Sequence, residues 1–319
     1  MTAIETVRRR ARIPQDLGGS RLDQAAAALF GEFSRARLQT WIDTGQLRVD
    51  GGRRRSRDRV LGGEWLDLDA RVEAAGGWER QAVPFRLVYE DAELLVVDKP
   101  AGIVVHPAAG NRDRTLLNGL LLHRPELRAL PRAGIVHRLD KDTTGLMVVA
   151  GTLRAHASLV DQLRHRSVRR EYDALVRGQV ISGGTLDAPI GRHPVARTRM
   201  AVVTGGRAAV THYRVQQRFP AHTLLRVVLE TGRTHQIRVH MAHLGHPLVG
   251  DPLYGGRLQI PAGTPVVAEE ALRGFRRQAL HATRLALRHP ADGRELSWQA
   301  PLPADFATLL RALEDDAGG

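Results

Sequence analysis

The sequence has no cysteine. That excludes thiolate nucleophiles, disulfide frameworks and every zinc site built on sulfur, and it fits a reducing compartment, so a cytoplasmic location is expected. Long apolar runs are missing too. Stretches such as Leu94–Val97 and Gly102–Val105 are cut by Asp98, Lys99 and His106, well short of the ~18 apolar residues of a membrane span. Behind Met1 come Arg8, Arg9, Arg10 and Arg12 with no apolar stretch to follow, so no secretory signal is read there. There is no G-x-G pair for a dinucleotide, no Gly-Lys of a phosphate-binding loop and no G-x-S-x-G elbow, and the familiar cofactor and hydrolase readings fail with them. Lysine is scarce: of 47 lysines and arginines only Lys99 and Lys141 are lysine. In a chain that uses arginine almost everywhere, those two sites are candidates for needing a compact ammonium that a guanidinium cannot replace.

What is present is positive charge. A formal charge of +13 points to a polyanionic partner, because each neutralised phosphate releases condensed counterions and adds affinity that does not depend on sequence. The 319 residues exceed the roughly 100–200 of one domain, which suggests a large domain with a small module attached. A hydrophobic fraction of 43% is enough for a packed core.

A basic arm, residues 1–17, comes first. Ser20 is placed to cap a helix, with Asp23 three residues on and Leu22, Ala25, Ala26, Leu29 and Phe30 at helical spacing. A second helix is expected from Ser34, with Leu38, Trp41 and Ile42 on one face and Gly45 as its stop. A short strand Leu47–Val49, an Asp50-Gly51 turn, the arginines 53–55 and a strand Trp65–Leu68 complete a module over 18–70. Residues 71–84, with Ala74, Ala75, Gly76 and Gly77, lose periodicity and read as a linker. From residue 85 to 319 strands dominate: a hairpin around Glu90-Asp91, then Leu146–Ala150, Glu171–Val176, Ala208–Gln216 and Leu224–Leu229, with helices near Leu116–Leu122 and Arg154–Arg164. Strands that neighbour one another in sequence predict a mainly antiparallel α+β domain rather than a doubly wound sheet.

The densest polar stretch is Gly134-Ile135-Val136-His137-Arg138-Leu139-Asp140-Lys141-Asp142-Thr143-Thr144-Gly145-Leu146. Asp140 stands there between two cations in sequence, a setting that suits a carboxylate nucleophile and equally an ion-paired turn. The stretch resembles the H-R-L-D-K-D-T-T/S-G-L signature of the RluA-type pseudouridine synthases. The resemblance continues through Asp98-Lys99-Pro100-Ala101-Gly102, Val105-His106-Pro107, Arg170-Glu171-Tyr172 and the run from Glu230 to His240, and ends at His246-Pro247, Gly250-Asp251 and Tyr254-Gly255. The pattern Arg21-Leu22-Asp23, Ser34-Arg35, Trp41-Ile42, Gly45 and Val49-Asp50-Gly51 resembles the S4 RNA-binding domain.

These resemblances imply an RNA isomerase. Breaking the N1–C1′ bond, turning the uracil and joining C5 to C1′ leaves the composition of the nucleotide unchanged, so no cofactor and no metal are implied. Asp140 would be the essential carboxylate, acting on the sugar or on the ring. Tyr172 would stack on the flipped base, Arg238 would pair with Asp140, and Arg138 would brace the flipped nucleotide. Arg233 competes with Arg238 for that ion pair, and the motif alignment favours Arg238. The pocket would be completed by Ile237, packed beneath the tyrosine, with His137, Leu139, Lys141, Lys99 and His106. Phosphate contacts would come from Arg35, Arg37, Arg53, Arg54 and Arg55. The S4-like module, Pro131-Arg132-Ala133 and Gly191-Arg192-His193-Pro194 point within the family to members acting on 23S ribosomal RNA, in the large subunit or its precursor, with no required protein partner and a monomeric chain. Another ribosomal site or a transfer RNA is the alternative, and a non-catalytic RNA-binding assembly factor is the alternative of another class. The run His235, His240, His243 and His246, with Asp251, raises a metal-hydrolase reading, which the lack of H-E-x-x-H weakens.

Overall fold

The computed structural model of the chain describes residues 4–31, 33, 35–73, 78–108, 110–196 and 198–315. Two compact units divide at Trp78 and Glu79.

In the N-terminal unit, β1 (Ile4–Arg12), α1 (Leu22–Leu29), α2 (Arg35–Thr44), β2 (Leu47–Val49) and β3 (Trp65–Glu73) follow one another. The three strands form an antiparallel sheet in the order β1-β3-β2. Residues 4–12, expected within a basic arm, are therefore a strand. Its alternation is hidden by charge, since Val7 and Ala11 pack on the core while Arg8 and Arg10 pair with Asp69 and Asp67 of β3. The core takes Leu22, Ala25 and Ala26 from α1 and Leu38, Trp41 and Ile42 from α2, the faces their spacing assigns. The N-cap of α1 is Arg21, not Ser20, whose hydroxyl donates to the Leu17 carbonyl at 2.6 Å. Ser34, expected to open α2, lies outside the described residues, as do Ala74, Ala75, Gly76 and Gly77 of the expected linker. Gly45 ends α2 at φ 76°, and a Cβ there would run into the Arg53 guanidinium, so both conformation and space require glycine.

The second unit runs β4 (Arg86–Glu90), β5 (Leu94–Lys99), α3 (Leu116–His123), β6 (Thr144–Ala150), α4 (Leu153–Arg164), β7 (Arg169–Arg177), β8 (Gly184–Asp187), β9 (Ile190–Arg192), β10 (Met200–Val202), β11 (Val210–Arg218), β12 (His222–Leu229), α5 (Gln236–His243), α6 (Val266–Gly274), β13 (Leu280–Arg288), β14 (Glu295–Gln299) and α7 (Ala304–Asp315). Nine strands make one sheet in the order β4-β5-β6-β13-β7-β12-β11-β8, with β14 on β13. Every pairing in it is antiparallel except β13 with β6, so the fold is α+β with a large, mainly antiparallel sheet. All of β6 is buried, as its apolar run requires of a central strand. Gly145 at its start, φ 113°, lies so close to Ala282 of β13 that no side chain fits between them. That contact seats the preceding loop, residues 137–143, above the middle of the sheet. Around it α4 packs with Leu146, Val148 and Leu285, while α6 and α7 pack with Leu175 and Phe219.

Candidate active site

Asp140 sits in the loop before β6, and the loop is tied down on both sides of it. Its own carbonyl accepts from Thr143 N at 3.2 Å. Upstream, His137 Nε2 accepts from Val148 N at 3.0 Å, and burial pulls that imidazole down to about 3. A neutral acceptor nitrogen is what this bond needs. Downstream, the Lys141 carbonyl accepts from Lys99 Nζ at 2.8 Å. Lys99 is wholly buried and gives its other protons to the carbonyls of Pro100 at 2.8 Å and Ile103 at 3.0 Å. Burial draws this ammonium down to about 7, against the pull of Asp142, Asp140 and Asp98. Three carbonyls around three N–H groups fit an ammonium and would crowd a guanidinium. Of the two lysines, then, Lys99 holds the loop through its side chain, whereas Lys141 is exposed and contributes a backbone carbonyl.

Arg238, in the first turns of α5, links two carboxylates. Its Nε and Nη2 form a fork with Asp251 at 2.7 and 2.9 Å, and Nη1 donates to Asp140 Oδ2 at 3.1 Å. Burial disfavours this guanidinium, but the hydrogen bonds and charges of Asp251 and Asp140 outweigh it and raise its pKa. Asp251 is buried as well; burial pushes its carboxyl up, and Arg238 with the Leu253 and Tyr254 amides pulls it below its ordinary value. The bidentate pair fixes the arginine, and one of its three remaining N–H groups orients Asp140. Arg233 instead donates to the Ala208 carbonyl at 2.9 Å. His235, in a left-handed conformation at φ 57°, places Nε2 3.9 Å from Asp140 Oδ1 and bonds Tyr254 Oη through Nδ1 at 2.8 Å. Burial lowers the pKa of His235, against the charge of Asp140. Asp140 Oδ1 accepts no hydrogen bond among the described residues.

Asp140, Arg233, His235 and Arg238 line a cavity of about 360 Å³, within the usual range for ligand pockets. Tyr172, Ile237, Leu139, His137, His106 and Arg138 share its wall with Asp140 and Arg238. Tyr172 is 5% exposed, burial raises its pKa, and its hydroxyl makes no hydrogen bond among the described residues. Burial, with Arg132 and Arg138 nearby, lowers His106 to about 4. Lys99 and Lys141 are not among the lining residues. Sequence reasoning named Asp251 and His235 only as motif letters and possible metal ligands, and it gave Tyr254 and Arg170 no role. Only tertiary structure shows the Asp251 fork on Arg238. The histidine run is dispersed: both ring nitrogens of His240 are taken, by Thr211 Oγ1 at 2.8 Å and the Ala188 carbonyl at 3.0 Å, and no metal-ligand cluster occurs among the described residues.

The arginines of the N-terminal unit are largely engaged within it. Arg35 donates to the buried Asp23, Arg54 pairs with Glu64 at 3.1 Å, Arg55 pairs with Asp58 at 3.1 Å, and Arg37 lies over the Trp41 ring. No helix among the described residues is long and apolar enough to cross a membrane.

Residues 93–243 match the RNA pseudouridylate synthase family. The chain is 59% identical to ribosomal large subunit pseudouridine synthase D of Pseudomonas aeruginosa over 98% of both chains. It is 50% identical to the protein of that name from Escherichia coli K12, over 96% of this chain and 94% of the other. Among solved structures, human RNA pseudouridylate synthase domain containing 4 superposes with a TM-score of 0.57 at 28% identity, covering 72% of this chain and 93% of its own.

Proposed function

From the premise that the chain belongs to the RNA pseudouridine synthase family and is an enzyme of that class, we propose that it isomerises uridines of 23S ribosomal RNA, with Asp140 as the carboxylate that does the chemistry. The substrate reading rests on near full-length similarity to two proteins named for the large ribosomal subunit. The assignment of Asp140 rests on one observation: it receives a single oriented N–H from a clamped arginine, its other oxygen accepts no hydrogen bond among the described residues, and it lines a cavity walled by a tyrosine ring. A flipped uridine enters that cavity with its ring against Tyr172 and Ile237. Asp140 acts on the sugar or on the ring, the N1–C1′ bond breaks, the uracil turns and C5 bonds to C1′. Arg238 keeps the carboxylate in place, and Arg138, at the exposed edge, braces the displaced nucleotide.

The N-terminal unit, β1 through β3 and so wider than the 18–70 expected from sequence, is read as an S4-type RNA-binding domain that precedes the catalytic domain expected at 85–319. Neutralising Arg53 and Arg55 together should weaken RNA binding and flatten its salt dependence by about 0.7–0.9 in log–log slope per lost phosphate contact. An unchanged slope removes these two from the interface. The substrate is tested by pseudouridine mapping of ribosomal and transfer RNA from cells lacking the protein, rescued by the intact chain. Missing sites confined to 23S RNA support the reading, and sites in transfer RNA replace it.

A further inference from the structure

Arg170 is a buried cation without an anion. It is 7% exposed and lines the cavity. The other buried arginines hold carboxylates: Arg238 has Asp251 and Asp140, and Arg277 has Asp305. Arg170 makes no ion pair among the described residues. Nη2 makes long contacts to the carbonyls of Glu230 at 3.2 Å and Leu229 at 3.4 Å, and Nε has no partner. Burying a guanidinium so sparsely satisfied is costly unless something that binds there completes it. Two positions along β7 stands Tyr172, so both side chains leave the same face of the strand. Gly232 closes the other side; a Cβ on it would lie 3.0 Å from Arg170 Nη1.

We propose that Arg170 is a further catalytic residue, donating hydrogen bonds to a ring oxygen of the target uracil as that ring becomes an anion. Whichever way Asp140 acts, N1–C1′ cleavage leaves the bonding pair on the ring, delocalised over O2 and O4. The ring turns, C5 supplies the pair for the new bond to C1′, and C5 then loses its proton while N1 gains one, so no co-reactant is consumed. A fixed guanidinium at the ring's edge stabilises that anion and keeps the detached base from leaving the cavity. The depth of Arg170 favours the base over a phosphate as its partner, because exposed Arg132 and Arg138 occupy the cavity's edge, where a nucleic-acid backbone would pass. Burial raises the Tyr172 phenol and the charge of Arg170 opposes that rise, which places Arg170 close to the ring that would hold the base.

This rests on the Asp140 reading but not on which RNA is modified, so the substrate for its test is total RNA from cells lacking the protein. Arg170→Gln keeps an N–H for the Leu229 and Glu230 carbonyls and removes the charge. Single-turnover kcat should fall about 10²-fold while RNA affinity changes by less than about threefold. Arg170→Lys should recover part of the loss, and millimolar guanidinium should raise the rate of Arg170→Ala but not that of wild type. If the Ala variant does not fold, the Gln and Lys variants decide alone. Wild-type kcat in Arg170→Gln, or a loss confined to RNA affinity, overturns the proposal. Inactivity of Asp140→Ala alongside a fully active Arg170→Gln would reject this inference and leave the Asp140 reading standing.

Discussion

Asp23 and Asp140 are two aspartates that each accept hydrogen bonds from an arginine that is not a sequence neighbour, Arg35 and Arg238. Asp23 is wholly buried, and its oxygens accept from Arg21 Nε and Nη2, Arg35 Nε and Nη2, and Gln39 Nε2 at 2.6–3.3 Å. Burial alone would raise its carboxyl, but these hydrogen bonds outweigh it and hold the pKa at about 2. Asp140 accepts one hydrogen bond from Arg238, and 16% of its side-chain surface is exposed. The two share a residue type and a kind of partner, so neither marks a site. The difference is saturation: a carboxylate that accepts five hydrogen bonds crosslinks a fold, whereas one oriented by a single donor, beside a cavity and an aromatic ring, keeps lone pairs for a reaction.

Removing the unsaturated member gives the largest effect. Asp140→Ala should reduce pseudouridine formation by about 10⁴-fold or more, with RNA affinity nearly intact because phosphate contacts dominate the interface. Product above background in that variant, measured by mass spectrometry of digested RNA, would take the reaction away from Asp140. Removing the saturated member should do the reverse. Asp23→Asn leaves kcat unchanged and destabilises the N-terminal unit, because Arg21 and Arg35 lose their common anion. The pH dependence follows from the sign of the shift. The folded pKa of about 2 lies below the unfolded 3.8, so the charged form stabilises the fold fully above pH 3.8, and the contribution fades as pH falls to about 2. Urea unfolding of the full chain, followed by tryptophan fluorescence, should show wild type and Asp23→Asn converging across that window. A gap that stays constant would mean that the cluster stabilises by packing rather than charge.

Legibility in the sequence followed the range of the interaction. The hairpin of β4 and β5, α3 and α4 were expected because apolar spacing and turn residues are local signals. By contrast, β13 enters the sheet between β6 and β7 from 130 residues beyond β6, beside its strand partners in space but not in sequence, and no periodicity in Leu280–Arg288 reports that. β1 was read as an arm because arginines hide the alternation of Val7 and Ala11, and charge on an edge strand is itself a means of blocking further pairing. At the site, the motif resemblance supplied Asp140, Tyr172 and Arg238. It could not say that Arg35, expected to touch phosphate, is committed to Asp23, nor that Asp251 clamps Arg238, because both facts are ion pairs closed by the tertiary fold.

The sequence neighbours of Asp140 give the smallest expected effect and the sharpest test of the comparison. Arg138 and Lys141 flank it, and on sequence alone either looks like the cation that serves it. In the folded chain neither forms an ion pair with it among the described residues; the contact comes from Arg238, 98 positions away. The Lys141 ammonium is exposed, and what the loop needs from that residue is a carbonyl for Lys99, which any residue carries. Lys141→Arg should therefore keep kcat within about twofold and stability within ±0.5 kcal/mol. Lys99→Arg should lose both, because a larger cation must fit among three carbonyls built around an ammonium. Side by side, single-turnover rates and thermal melts of the two variants separate the explanations. If Lys141→Arg slows turnover as much as Lys99→Arg, the charge beside Asp140 in sequence matters to it, and its setting is not made by tertiary partners alone.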